Sequence, residues 1–499
     1  MLKEPRSQHV IIVGAGIAGL AAAWRLQRAC YTVTVLERET HVGGRMATIE
    51  RDGYHLALGA VWLPQSYHHM IQLVAEAGLT PQMAPTTDIL GLSRQGTIYR
   101  LPLHQKSALL RTRLLSWRAK LKAVNLAWDA YRARPLLGWA DMSAAETIDT
   151  ESAHDYAQRR LNQELYDYLV EPLCLTWYYA DPRQVSAVGL FLALWALIGY
   201  GAFTFPDGPG QLPTHLARQL PVELEAEVTS VEEAPGGVQV CWQRHSELHN
   251  THAAACILAV PGPLAPKLTP QLRASQRDYL AQLSYQPDVR VSFGLTRPPT
   301  EPSGLVFAAP RDHTGISYLS LEHRISPHAV PAGKGLISLH LHPTWSRERL
   351  KMSDAEITAD ALAALRAPFP GLANHIEAHR DMTFVHRWQH AILTRPPGGY
   401  RALAAFTRSL DPRSRIQFAG DYLSLTLTNA ALATGERAAA RIHANLGSRD
   451  QHPTDRLGDR NGDATHQEGP GSGDREWYRW IGRRTCAGRS FPGRCGSRT

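Results

Sequence analysis

The chain has 499 residues, of which 44% are hydrophobic and 20% charged, and a formal net charge of +8. This length and balance exclude a small accessory module and a wholly disordered chain, and predict two or three ordinary globular domains. Six cysteines without regular spacing do not predict a disulfide framework and fit a reducing, cytoplasmic compartment.

The opening MLKEPRSQHVIIVG has no apolar core followed by a small-residue cleavage site, so no signal peptide is predicted. HVIIVG reads as a short β-branched strand, and IAGLAAAWRLQRAC as the helix that follows it. Between them Gly14, Gly16 and Gly19 form G-x-G-x-x-G. The first glycine permits the tight turn, the second lets backbone approach a pyrophosphate, and the third lets helix pack on strand. Ile17 and Ala18 open the helix, whose N-terminus faces the phosphate charge. A second strand, YTVTVLE, ends at Glu37 and is followed by Arg38. A carboxylate there can accept hydrogen bonds from ribose hydroxyls. Together these residues predict a dinucleotide site, and they do not choose between nicotinamide and flavin.

The next residues, RETHVGGRM, resemble a motif of the FAD-dependent flavin amine oxidase superfamily, which also includes protoporphyrinogen oxidases and phytoene-type desaturases. The resemblance rests on Glu37, Gly43, Gly44 and Arg45, and implies that Arg45 meets the FAD pyrophosphate. It also implies that Gly59, Ala60, Val61 and Trp62, in LGAVWLP, lie near the flavin ring, with core packing the alternative for Trp62.

Further along, Lys106–Arg134 holds eight Lys or Arg against Asp129 alone, with Leu and Trp at near-helical spacing. A solvated helix face is predicted, with peripheral contact to an anionic membrane as the functional alternative; no nucleic-acid motif accompanies the charge. LVEPLCLTWYYADPRQVSA resembles the protoporphyrinogen oxidase branch through Glu171, Pro172, Asp181, Pro182 and Ser186. The uncharged run AVGLFLALWALIGYGAFTF, from Ala187 to Phe205, approaches a membrane span in length. Its glycines and flanks favour a buried helix lining an apolar cavity, with shallow insertion into one leaflet the alternative. FPDGPGQLPTHLARQL resembles the branch's Pro-x-Gly-Gly loop, with Pro209 for a usual glycine. By resemblance, Val228 gives a backbone contact to adenine. Strands are predicted at VRVSFGL, GLVFAAP, GISYLSLEH and GLISLHLH, then a helix at SDAEITADALAALRAPF. VHRWQHAILTRPPGGY resembles the Arg-Trp-x-x-Ala-Ile run before the active-site wall, with Arg395 and Tyr400 where Tyr and His are frequent.

RIQFAGDYLSLTLTNAALATGERAAARI resembles the superfamily's closing motif. It implies that Gly420 and Asp421 meet the diphosphate and ribityl chain, and that the helix opening at Thr428 and Asn429 points its N-terminus at the flavin ring. No Cys stands in this motif, so non-covalent FAD is implied. The expected fold is α/β: a Rossmann-like, GR2-type FAD-binding domain (1–84, 211–267 and 394–446) interleaved with an α+β substrate-binding domain (85–210 and 268–393). The Gly-, Arg- and Asp-rich 447–499 reads as a disordered basic tail.

The resemblance implies an enzyme that passes hydride from a largely apolar small molecule to the flavin, with oxygen or another acceptor reoxidising it. The catalytic residues are not identified by sequence; Arg290, Trp388 and Tyr400 are candidate cavity residues, with core roles as the alternative for the last two. Amine oxidases of the superfamily carry an aromatic where Leu427 stands and a Lys where Arg290 stands. Both departures weaken a monoamine oxidase assignment; the protoporphyrinogen oxidase and desaturase branch is favoured, with a flavin amine oxidase acting on a primary or secondary amine as the alternative. A non-catalytic FAD-binding scaffold is the alternative of another class. His340 and His342 alternate on one strand without a third ligand, so no metal is predicted.

Overall fold

The computed structural model describes residues 8–105, 107–197, 201–311 and 315–447. The segment read as a disordered tail lies outside them from residue 448 onward.

A five-stranded sheet is built from three distant stretches of the chain. Its order is Val222–Glu223, Thr32–Leu36, His9–Val13, Ala255–Leu258, Ile416–Phe418, and every neighbouring pair is parallel. Parallel strands covered on both faces need apolar residues throughout, which explains the unbroken VIIV and ACIL runs. Val10, Ile12, Val33, Val35 and Ile257 face helices Ile17–Arg28 and Thr428–Gly447. Ile11, Val13, Leu36, Cys256 and Leu258 face a three-stranded antiparallel sheet, Glu227–Ala234, Gly237–Arg244 and Glu247–Ala253. The two helices touch closely because Gly435 meets Ala18: a Cβ there would stand 2.1 Å from the Ala18 carbonyl oxygen.

A second, seven-stranded sheet runs in the order Arg380–Thr394, Ser284–Leu295, Gly335–Leu341, Ile316–Leu321, Leu305–Phe307, Ile89–Arg94, Thr97–Pro102. It is antiparallel except where Leu305–Phe307 runs parallel to Ile89–Arg94. Alternation in Ser284–Leu295 puts Val289, Val291, Phe293 and Leu295 against the apolar side of helices Asp354–Arg366 and Pro370–His379. The intervening Asp288, Arg290 and Ser292 therefore share the opposite face. The strands predicted over the second half of the chain and the helix in SDAEITADALAALRAPF are present.

The 19-residue uncharged run does not form one helix. Ala187–Leu197 is helical with Ala187–Leu194 buried, and Ala202–Thr204 is a strand paired with Leu63–Pro64. No helix among the described residues is long and apolar enough to cross a membrane. Cys174, Cys241 and Cys256 are free thiols.

Candidate active site

The opening glycines divide by what surrounds them. Gly14 has φ +101°, and a Cβ on Gly19 would lie 1.9 Å from the Gly14 carbonyl oxygen, so both are required by the turn itself. Gly16 differs: its backbone is extended, and a Cβ there would meet nothing within 4 Å. Packing therefore does not explain this glycine, and open space at the start of a helix is where a pyrophosphate needs to come close. Gly44 faces Gly16 Cα at 3.6 Å from its virtual Cβ, and the Gly43 N–H donates to the Ala15 carbonyl at 2.9 Å. The two glycine motifs thus border one opening.

Glu37 Oε2 accepts from the Ala15 N–H at 2.6 Å and Oε1 from the Glu39 N–H at 3.0 Å, at the end of the second strand. Burial raises its carboxyl above the usual range even against these bonds. Arg38 points away, pairing with exposed Glu39. The Ala226 N–H donates to the Glu37 carbonyl, which brings Val228 alongside, packed with Ile11, Val13 and Leu36.

Arg45 leaves the Gly-Gly turn and reaches the closing motif. Its Nη1 donates to Asp421 Oδ2 at 2.6 Å and to the Ala391 carbonyl at 3.0 Å, while Tyr285 donates to Asp421 Oδ1 at 2.8 Å. Burial raises the Asp421 carboxyl, but Arg45 and these bonds outweigh it and hold the group below its ordinary value. Gly420, with φ +142°, gives its N–H to Thr434 Oγ1. Thr428 shares a side-chain hydrogen bond with Tyr67. Asn429 is fully buried, its Oδ1 accepting from the Met70 N–H at 2.9 Å; its Nδ2 has no partner among the described residues, nor has the Tyr422 hydroxyl.

The stretch Gly59–Trp62 is fastened from two sides. A Cβ on Gly59 would lie 2.0 Å from the Arg45 carbonyl oxygen, which accepts the Ala60 N–H. Arg290 donates to the carbonyls of Ala57 and Gly59, the latter at 2.7 Å, and Trp388 Nε1 donates to the Leu58 carbonyl at 2.5 Å. Val61 is buried and Trp62 half-buried against the core. Arg290 and Trp388 thus anchor this loop. Tyr400 is buried and lines a cavity of about 10 Å³ with Tyr178, Val185, Gly189, Leu393, Arg395 and Thr426.

Sequence reasoning missed a largely buried ionisable row on the face of the large sheet opposite helices Asp354–Arg366 and Pro370–His379. His386, Arg290, His340 and Tyr318 are register partners across four adjacent strands. Asp288 lies 3.5 Å from His340 Nδ1, and the Tyr179 hydroxyl lies 2.9 Å from both His340 Nδ1 and the Tyr318 hydroxyl. Burial and the Arg290 charge push both His340 and His386 down to about 4. Asp288 Oδ1, Arg290 Nε, His340 Nε2 and His386 Nε2 have no hydrogen-bond partner among the described residues. The signal was the period of two, which places Asp288, Arg290, His340 and His386 on one face once strand order is known. No group of three or more His, Cys, Asp or Glu side chains placed to share a metal ion occurs among the described residues.

The sequence profile of the flavin containing amine oxidoreductase family matches residues 17–443. The chain belongs to this family. It is an FAD-dependent oxidoreductase, and its fold is that of the family. Among curated relatives, coproporphyrinogen III oxidase of Bacillus subtilis (strain 168) is 24% identical over 425 residues, 77% of this chain and 87% of the relative. Mitochondrial protoporphyrinogen oxidase of Nicotiana tabacum is 29% identical over 198 residues, 39% of this chain and only 37% of that protein. Among solved structures, putrescine oxidase bound to putrescine has a TM-score of 0.70 at 21% identity, covering 88% of this chain and 99% of that one, a likeness of fold alone. The residues present fit the family's FAD, held non-covalently: an open backbone approach at Gly16, a carboxylate at Glu37, a cation at Arg45, and unpartnered buried donors on Tyr422 and Asn429.

Proposed function

We propose that this flavoenzyme dehydrogenates a largely apolar, uncharged or anionic small molecule of the porphyrinogen or polyene kind, rather than an amine. Bound FAD supplies a two-electron acceptor; the chain's own residues hold it, exclude water and shape the substrate wall. In this reading 1–84, 211–267 and 394–446 hold FAD, and 85–210 with 268–393 hold the substrate. Gly14, Gly16, Gly19, Glu37, Gly43–Arg45, Gly59–Trp62, Val228, Gly420, Asp421, Thr428 and Asn429 form the cofactor cradle, and an acceptor such as oxygen completes turnover.

The observation that carries the reading is Arg395. It is buried, donates to the Tyr279 hydroxyl at 3.0 Å and to the Tyr422 carbonyl at 2.6 Å, and makes no ion pair among the described residues. It lies against the closing motif beside a wall of Tyr178, Val185, Leu393 and Tyr400. A protonated amine about 6 Å from such a guanidinium would be opposed by about 3 kcal/mol at an effective dielectric of about 20. Leu427, half-buried in the core, gives no aromatic wall to a substrate nitrogen. Similarity to coproporphyrinogen III oxidase over most of both chains supports the same choice.

The test is replacement of Arg395. With Arg395→Met, apparent substrate affinity for an anionic apolar substrate falls by about tenfold, the loss of one charge-assisted contact, while FAD content stays constant. Unchanged affinity for that substrate, with amine turnover in the unmodified enzyme, would refute the proposal.

A further inference from the structure

The helix Trp117–Ala133 is turned inside out relative to a normal surface helix. Its buried residues are Ala119, Leu126, Ala130 and Ala133, three of them alanine. Its bulky apolar residues face solvent: Trp117 is 65% exposed, Leu121 62%, Val124 59%, Trp128 57% and Tyr131 65%. At about 100° per residue, those five fall within an arc of about 80°, and the buried four lie on the opposite side. Leu110, in the preceding helix Ala108–Arg111, is also exposed, so six of the seven exposed large hydrophobic residues of the described structure occur in 22 residues of sequence. Their concentration separates this stripe from the scattered apolar exposure every protein carries.

Charge surrounds the stripe. Arg111, Arg113, Arg118, Lys122, Arg132 and Arg134 are exposed and Lys120 is half-exposed. None has a carboxylate partner among the described residues. The one acid of the helix, Asp129, is engaged by Arg160 at 3.0 Å and by the Tyr156 hydroxyl at 2.9 Å. Arg118 lies over the Trp117 ring and Trp128 stacks on Tyr131. A helix that exposes Trp, Leu and Tyr in one stripe, with unpaired cations beside it, matches the headgroup–acyl boundary of an anionic bilayer.

We propose that this helix is an interfacial membrane contact, lying flat on an anionic lipid surface with the Trp117–Tyr131 stripe in the acyl boundary and the flanking Arg and Lys at the headgroups. A second copy of the chain is a poorer occupant, because closing the stripe on itself brings two unpaired basic clusters together. The contact is independent of the substrate reading above.

The test uses the full-length, FAD-loaded protein and sedimentation with vesicles. Binding is expected to vesicles containing phosphatidylglycerol, to weaken with salt, and to be at least about tenfold weaker with pure phosphatidylcholine. A Trp117→Ser, Trp128→Ser double variant and an Arg118→Glu, Lys122→Glu double variant should each lower binding by at least about tenfold, with flavin content and elution volume unchanged. Both variants keep the basic segment after residue 447, so binding that survives them would overturn the proposal. So would absence of binding, equal binding to neutral vesicles, or a concentration-dependent dimer that the tryptophan variant dissociates.

Discussion

Arg45 and Asp421 stand 376 residues apart in the chain and meet at 2.6 Å. One leaves the Gly-Gly turn after the second parallel strand, the other stands in the closing motif, and their pair joins the two ends of the proposed cofactor cradle. Nη1 donates to both Asp421 and the Ala391 carbonyl, and a guanidinium has further N–H groups that a diphosphate could use.

Arg45→Ala is therefore expected to weaken FAD by at least tenfold, about 1.4 kcal/mol or more, with Asp421→Asn intermediate. Flavin-to-protein absorbance after gel filtration, followed by reconstitution titration, measures this. Full retention of flavin by Arg45→Ala would remove that residue from the cradle.

The opening glycines should separate by their surroundings. Gly19→Ala drives a methyl to within 1.9 Å of a backbone oxygen, so it is expected to unfold the turn and yield little soluble protein. Gly16→Ala meets no protein atom within 4 Å; it should fold, and should lose FAD affinity by about tenfold or more because the methyl occupies the space of backbone approach. Circular dichroism and flavin titration distinguish the two. A Gly16→Ala protein with unaltered FAD affinity contradicts the assignment.

Arg290 is expected to act through the loop it holds. Arg290→Ala leaves the carbonyls of Ala57 and Gly59 and the buried Asp288 carboxylate without their cation, a loss of about 3–5 kcal/mol in stability. Arg290→Lys keeps the charge but cannot span both carbonyls, and should lose less. Urea denaturation checks the order, and a stability equal to the parent in Arg290→Ala would show that the loop does not depend on it.

Two sets of groups give opposite pH signatures. His340 and His386 are pushed by burial and Arg290 down to about 4. The unfolded chain binds their protons first, so their contribution to stability rises with pH between about 4 and 6.5. Glu171 is pushed up to about 7 by burial and the nearby Asp181 and Asp167, so its contribution is greatest below about 4.5 and is lost as pH rises through 7. Relative to the parent, Glu171→Gln should gain in Tm as pH rises from 5 to 8, whereas His340→Asn should gain as pH falls from 6.5 to 4. Parallel Tm curves for either variant and parent would exclude the corresponding group.

The parallel sheet was readable because both-face burial forces continuous β-branched runs such as VIIV, and because glycine spacing fixes the turn between strand and helix. The chain's second half was readable by its period of two. What could not be read was which distant residues share a face. Asp288, Arg290, His340 and His386 become a buried row only once three strands are aligned in register. Arg290 is legible as a cavity candidate, but its hold on Ala57 and Gly59 depends on a contact across 231 residues or more. The basic stretch was legible as a helix with a solvated charged face, but not which side packs inward: the alanine side is buried and the bulky apolar residues are exposed.

The central claim is that the flavin accepts electrons from an apolar, non-amine substrate. The most direct measurement is anaerobic titration of the FAD-loaded protein with a porphyrinogen, a polyene precursor and an aliphatic amine, following the visible flavin band. Bleaching by the porphyrinogen or the polyene is expected, with no change on addition of the amine. Bleaching by the amine alone would contradict it.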